Sequence, residues 1–370
     1  MEFRVNKTDL VRELSVSQGV VEKKTTIPIL SNVLLEAEGG RIHLLATDLE
    51  LSVRCSCPAE VTKPGAGTVP MRRLLDYVRL LPDAPIDIKF SDNHWASLVS
   101  GRSRTRIAGM SKESFPELPV APPPIAAIPS GVLTELILRT IFVISLEESR
   151  FTLNGALLLL KPDRVVMVST DGHRLALCER PADLGGVIDY RSIVPKKAMV
   201  EVLKLAQEAG PEAAVDFSAD ENHLFFRFGT RLFVCRKLTG NFPDYERVLP
   251  GEQPHSIILQ REEFRAMIDR VGQFSDERSH AVRVKFTPGE LKLFASLSDT
   301  GESEEVLPVN YDGPVLEAGY NAQYISEFLR AADEESVAFH FRDAGSAGEF
   351  RPIGGEGGQV YRYVVMPMRI

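Results

Sequence analysis

The segment Thr170-Asp171-Gly172-His173 sets a carboxyl and an imidazole two residues apart, a pair that could act as acid and base in a hydrolase. Such chemistry also needs a nucleophile on a sharp turn and an oxyanion site, and the chain has no G-x-S-x-G, H-E-x-x-H, P-loop or G-x-G-x-x-G pattern. Asp48 and Asp299 stand at matching places elsewhere without a following His, so Asp171 reads as a turn residue and no enzyme is expected. Cys55 and Cys57 alternate along an apparent strand with no second ligand pair nearby. With Cys178 and Cys235 they read as buried or half-buried reduced thiols, and no metal or cofactor is expected. The remaining chemistry lies in Lys and Arg. A formal charge of -8 argues against strong average attraction to nucleic acid, yet where the basic residues sit matters more than their sum.

What positions these residues is a threefold repeat. A helical stretch at Leu10 to Val21 precedes the strands Asn32–Glu36 and Arg41–Asp48. Val132 to Ile144 precedes Asn154–Leu158 and Val165–Asp171. Phe264, Met267, Ile268 and Val271, at helical spacing, precede Val282–Phe286 and Leu291–Asp299. Tight turns are expected at Gly39-Gly40, Pro162-Asp163 and Pro288-Gly289. A second helix opens in each copy after Val69-Pro70, Val194-Pro195 and Gly319-Tyr320, recurring every 125 residues. That spacing superposes Leu75 on Val200 and Ile325, and Val78 on Leu203 and Phe328, all on one helical face. The expected class is α+β: three copies of one domain, each with two helices packed on antiparallel sheets, at 1–121, 127–246 and 253–370. A proline-rich linker at Pro116 to Pro129 and a shorter joint at Pro250 to Pro254 separate them.

The 370 residues are 44% apolar and 25% charged, ordinary for a globular chain of two or three domains. The longest apolar run, Val132 to Ile144, is broken by Thr134, Glu135 and Arg139, and it falls short of the ~20 residues that span a bilayer. The charged start, Met1 to Leu10, lacks the apolar core of a signal peptide, so a cytoplasmic protein without a membrane partner is expected.

Four motifs bring a family into view. They are Thr26-Ile27-Pro28-Ile29-Leu30-Ser31-Asn32, Ser169 to Ala176, Phe242-Pro243-Asp244-Tyr245, and the ending Tyr363-Val364-Val365-Met366-Pro367-Met368-Arg369-Ile370. Together with the repeat they resemble the bacterial sliding clamp, the beta subunit of DNA polymerase III, over the whole chain. The resemblance implies a head-to-tail homodimer, a six-domain ring with helices lining a hole that encircles double-stranded DNA. It implies no base readout, only a weakly cationic lining. Arg72 and Lys197, flanked by Arg73 and Lys196, fall near the start of the second helix, and Lys24, Arg150 and Arg278 fall in the matching loops. Glu147 and Glu148 beside Arg150 argue against a DNA grip there.

The resemblance also implies a cleft between the second and third domains for short apolar peptide motifs of the polymerase III alpha subunit, the clamp loader, other polymerases and repair proteins. Carried over by residue, it holds Leu153, Thr170, Gly172, His173, Arg174 and Leu175, then Pro243, Arg247 and Val248, and finally Val364, Met366, Pro367, Met368 and Arg369. Methionines adapt to different ligands, and the arginines are expected to donate to a peptide backbone or acidic end. Val365 is expected to face the core. For ring closure, Glu302, Glu304 and Glu305 are expected to face Arg104 and Arg106, with Arg73, of a second subunit around Ile107 and Phe274. A paralogous clamp serving a specialised polymerase or conferring antibiotic resistance would carry the same motifs.

Overall fold

The computed structural model describes residues 1–21, 25–145, 147–185, 189–297, 301–355 and 357–369. They form two compact units, one of Met1–Gly131 with Lys197–Lys237, the other of Val132–Lys196 with Leu238–Ile370.

In the first unit, α1 (Lys7–Gln18) starts where Asn6 accepts hydrogen bonds from the amides of Thr8 and Asp9, at 2.8 and 3.4 Å. This cap starts the helix three residues before the apolar periodicity does. Leu10 and Leu14 bury its inner face beside α2 (Met71–Leu80). Its sheet has an edge at Ser103–Ala108, runs through Trp95–Ser100, Ile86–Phe90 and Glu2–Val5 to the long strand Leu51–Lys63, and continues into Arg231–Arg236, His223–Phe228, Ala214–Ala219 and Ala126–Pro129. The expected linker therefore ends in a strand. Pro129 is tolerated there because Ala126–Pro129 is the last strand of the sheet, with no neighbour needing an amide from its outer side.

The second unit holds α3 (Ser130–Leu138), most of which lies in it, α5 (Arg261–Val271) and α6 (Ala322–Ala331), while α4 (Lys196–Ala209) lies almost wholly in the first. An eight-stranded sheet runs Tyr190–Pro195, Gly155–Lys161, Arg164–Thr170, Arg174–Pro181, Val360–Val365, Gly348–Ile353, Ser336–Phe341, His255–Gln260. A four-stranded sheet runs Gly301–Pro308, Glu290–Leu297, Ala281–Thr287, Leu316–Asn321, and α5 packs on α6 and on that sheet. The helix expected over Val132 to Ile144, the first of the second copy, is shorter. Thr140 leaves helical geometry and its hydroxyl donates to Leu136 O at 2.7 Å, after which Ile141–Val143 forms a 3-10 turn.

All three expected hairpins form, closing at Glu38↔Arg41, Lys161↔Arg164 and Thr287↔Glu290, with Gly39, Gly40 and Gly289 at positive φ. The helix phase needs a correction. Leu75 and Ile325 are buried, but Val200 is 38% exposed and Met199 takes the core position. The middle copy is thus one residue out of the even 125 spacing, and Val202 rather than Leu203 matches Val78 and Phe328. Arg72 accordingly matches Lys196, and Arg73 matches Lys197. All four cysteines are buried and free. Among the described residues no helix is long and apolar enough to cross a membrane, and no cluster of His, Cys, Asp and Glu is set to hold a metal.

Candidate functional site

The turn at Asp171–His173 joins two central strands of the eight-stranded sheet. Gly172 takes φ +89°, and Asp171 Oδ1 accepts from the amides of His173 and Arg174 at 2.9 and 3.1 Å. Thr170 Oγ1 donates to Arg174 O at 2.7 Å. Asp48 repeats the device, accepting from Glu50 N and Leu51 N at 3.0 and 2.6 Å, while Thr47 Oγ1 donates to Leu51 O at 2.9 Å. Asp171 is therefore a turn residue whose carboxylate serves backbone amides and Arg174. The third counterpart, Asp299, lies outside the described residues.

Below the turn, Leu175 pairs with Val364 across adjacent strands, and both belong to a buried cluster with Leu157, Val166, Val168, Leu177, Ile193 and Phe242. Tyr245 and Leu249 pack on this cluster, which sets the 3-10 turn Tyr245–Arg247 beside it. Pro243, Arg247 and Val248 are exposed there, with Arg247 Nε 2.8 Å from Asp244. Val364 is as buried as Val365, so it forms floor rather than wall. The chain then leaves the strand and is pinned twice, by Met366 N to His173 O at 2.9 Å and Met368 N to Gly319 O at 2.8 Å. Met366 is 42% exposed despite its size, Pro367 and Met368 are half-buried, and Arg369 is exposed. His173 and Met366 are thus both exposed and joined by a backbone hydrogen bond, each two residues along the chain from Leu175 and Val364 of the buried aliphatic cluster. Leu153 is nearly buried at the end of Glu148–Leu153, its carbonyl accepting from Ser145 N at 3.1 Å.

Two cleft and loop arginines differ from expectation. Arg174 is buried, with its guanidinium bonded to Asp171, Glu327 and the carbonyl of Phe142, so it is no donor to a ligand. Burial opposes its charge, but Tyr363 and Glu327 more than offset this and raise its pKa. Arg150 donates from Nη1 to Asp171 O at 2.7 Å and lies 3.0 Å from Glu147, which fastens it to the turn at Asp171. Sequence reasoning also missed Tyr324 on α6, whose ring centre lies 4.1 Å from the Arg174 guanidinium carbon. No spacing rule would reveal it, since 150 residues separate the two.

The other candidate cations differ in exposure. Arg73, Lys197 and Arg278 are exposed, with Lys197 paired to Asp48. Arg72 is half-buried, and among the described residues its Nε has no partner. Lys196 is half-buried, donates to Ile144 O at 3.4 Å, and has its pKa lowered by burial and by Arg174. Lys24 lies outside the described residues.

Ser103–Ala108 and Gly301–Pro308 are each the last strand of their sheet. On the first, Arg104 and Arg106 are exposed, and Arg106 lies over the Trp95 ring at 5.0 Å. Ile107 is only 4% exposed, so it packs inward and cannot supply the expected apolar contact. On the second, Glu302 and Glu304 point outward, Glu304 2.7 Å from Lys292. Glu305 faces the other way and forms a forked pair with Arg270 of α5 at 2.5 Å, which removes it from the outward acidic row. Phe274 is half-buried and packs over Gly301, where an added Cβ would lie 3.5 Å from its ring.

Comparison with known proteins bears on this geometry. Domain profiles of the DNA polymerase III beta subunit match three stretches: the N-terminal domain at residues 1–119, the central domain at 127–244 and the C-terminal domain at 246–369. A beta sliding clamp of Pseudomonas putida is 35% identical over 376 residues, covering both chains fully, and one of Chlamydia pneumoniae is 32% identical over 371 residues, covering all of this chain and 99% of that one. The crystal structure of the DNA polymerase III subunit beta of Pseudomonas aeruginosa superposes with a TM-score of 0.95 at 33% identity over all of both chains. A sliding clamp of the same species bound to griselimycin gives 0.94 at 33% identity, again over all of both chains.

Proposed function

The chain belongs to the DNA polymerase III beta subunit family, the non-catalytic sliding clamps of replication, and from that premise we propose how its own residues close a ring, meet DNA and hold partners. Two chains join head to tail, each offering Ser103–Ala108 to the Gly301–Pro308 strand of the other. The observation that carries this reading is the pair of free sheet edges with opposite outward charge, Arg104 and Arg106 on one, Glu302 and Glu304 on the other. An unpaired edge is a template for another strand, and opposite charge selects which. An interface between unlike surfaces that closes after two subunits leaves no free end, so DNA is held by topology.

The three domains fall at 1–121, 127–246 and 253–370, a division supported by the family profiles. Arg73, Lys197 and Arg278, with the half-buried Arg72 and Lys196, meet phosphates weakly and without sequence preference, which permits sliding in the cytoplasm where the chromosome lies. Partners such as the polymerase III alpha subunit, the clamp loader and repair proteins insert an apolar anchor beside His173, Val248, Met366 and Met368.

Reversing Arg104 and Arg106 to Glu tests the closure. Sedimentation over a range that spans wild-type dissociation is expected to show the variant shifted toward monomer, with restoration when Glu302 and Glu304 are reversed to Lys in the same chain. An unchanged dimer in the first variant would count against this contact.

A further inference from the structure

Arg174 is 8% exposed and its guanidinium is committed on every side. Nε donates to Asp171 Oδ2 at 3.0 Å, Nη1 to Glu327 Oε2 at 2.6 Å, and Nη2 to Phe142 O at 3.0 Å, while the plane stacks on Tyr324. A planar fork so placed fixes the relation between the groups it joins. One of those groups is the Asp171–His173 turn, whose His173 carbonyl holds Met366 N. Another is α6, which carries both Glu327 and Tyr324. Gln323 Nε2 donates to the other oxygen of Glu327 at 3.0 Å, so the carboxylate is itself aimed. The path from α6 to the exposed methionine runs Glu327, Arg174, the turn, His173 O, Met366 N.

Resting on the cleft reading above, we propose that Arg174 is a positioning residue and that its ion pair with Glu327 sets the separation of His173 and Met366, hence the affinity for partner peptides. Glu327 has no place in the cleft, so dependence of peptide binding on its charge is a consequence that a direct contact by Arg174 does not share. Removing the partner of a largely buried charge frees a guanidinium that must find a new arrangement, and the turn moves with it.

The test uses the full-length dimer and a fluorescein-labelled clamp-binding peptide from the replicative polymerase, followed by polarisation. Glu327→Gln keeps size and removes charge, and it is expected to weaken binding by roughly three- to tenfold. Glu327→Asp should recover most of that loss, and Arg174→Gln combined with Glu327→Gln should be no weaker than Arg174→Gln alone. If Arg174→Gln does not fold, the comparison of Gln and Asp at position 327 decides by itself. Met366→Ala is measured beside them and is expected to bind at least tenfold more weakly. Weak Met366→Ala with wild-type affinity in Glu327→Gln overturns the positioning role while leaving the cleft in place. Wild-type affinity in Met366→Ala overturns the cleft reading, and this proposal with it.

Discussion

Glu349 has no exposed surface, yet it stays ionised. Burial alone would raise its pKa, but hydrogen bonds from Arg362 and from Arg351, the latter at 2.9 Å, outweigh that and hold it below the ordinary carboxylate value. A group whose folded pKa is depressed contributes stability that is complete above its unfolded pKa, about 4.3, and is lost as pH falls through the lower folded value. Glu349→Gln is therefore expected to lower stability at pH 7 by about 2 to 4 kcal/mol, and the gap in melting temperature from wild type should narrow as pH drops below ~4.3. A gap that stays constant from neutral pH to pH 3 would show that the pair carries no such charge-linked stability. Residue-scale chemistry was partly legible in the sequence. Asp171 could be read as a turn residue from its His-less counterparts, and the buried thiols from strand alternation. Arg174 could not, because its partner Glu327 is 153 positions away and nothing in residue type shows whether an arginine faces a ligand or a carboxylate of its own chain, whereas strand alternation does set Glu305 on the face opposite Glu304.

At the scale of elements, hairpins were the most legible feature, since Gly39-Gly40, Pro162-Asp163 and Pro288-Gly289 act through local backbone preference. Helix phase in the middle copy was not, because Val200 and Leu203 are apolar enough to mimic the core face while Met199, Val202, Leu205 and Ala206 occupy it. Met199→Ala should cost about 2 to 5 kcal/mol in denaturant unfolding, the range for a large side chain removed from a packed core. Val200→Ala should cost within about 0.5 kcal/mol. Equal costs at the two positions would restore the even 125 spacing and with it the match of Arg72 to Lys197. The corrected phase has a consequence for the cations. It makes Arg72 and Lys196 one half-buried pair and Arg73 and Lys197 one exposed pair, with Gln323 as the exposed counterpart in the third copy.

For the whole molecule, the repeat and its end motifs led from the sequence to the family, and Ser103–Ala108 and Gly301–Pro308, each last in its sheet, are the edges on which the proposed closure rests. The inward turn of Ile107 follows from strand alternation, which sets it on the face opposite Arg104 and Arg106, and its burial shows that this is the core side. The formal charge of -8 fits a protein that holds DNA without gripping it. The most direct test loads the clamp onto singly nicked circular DNA with its loader, raises salt until direct binding to a short duplex is lost, and then cuts the circle. Retention on the intact circle followed by prompt release on linearisation is the predicted result. Equal retention on circular and linear DNA, or loss from both at the same salt, would contradict topological tethering.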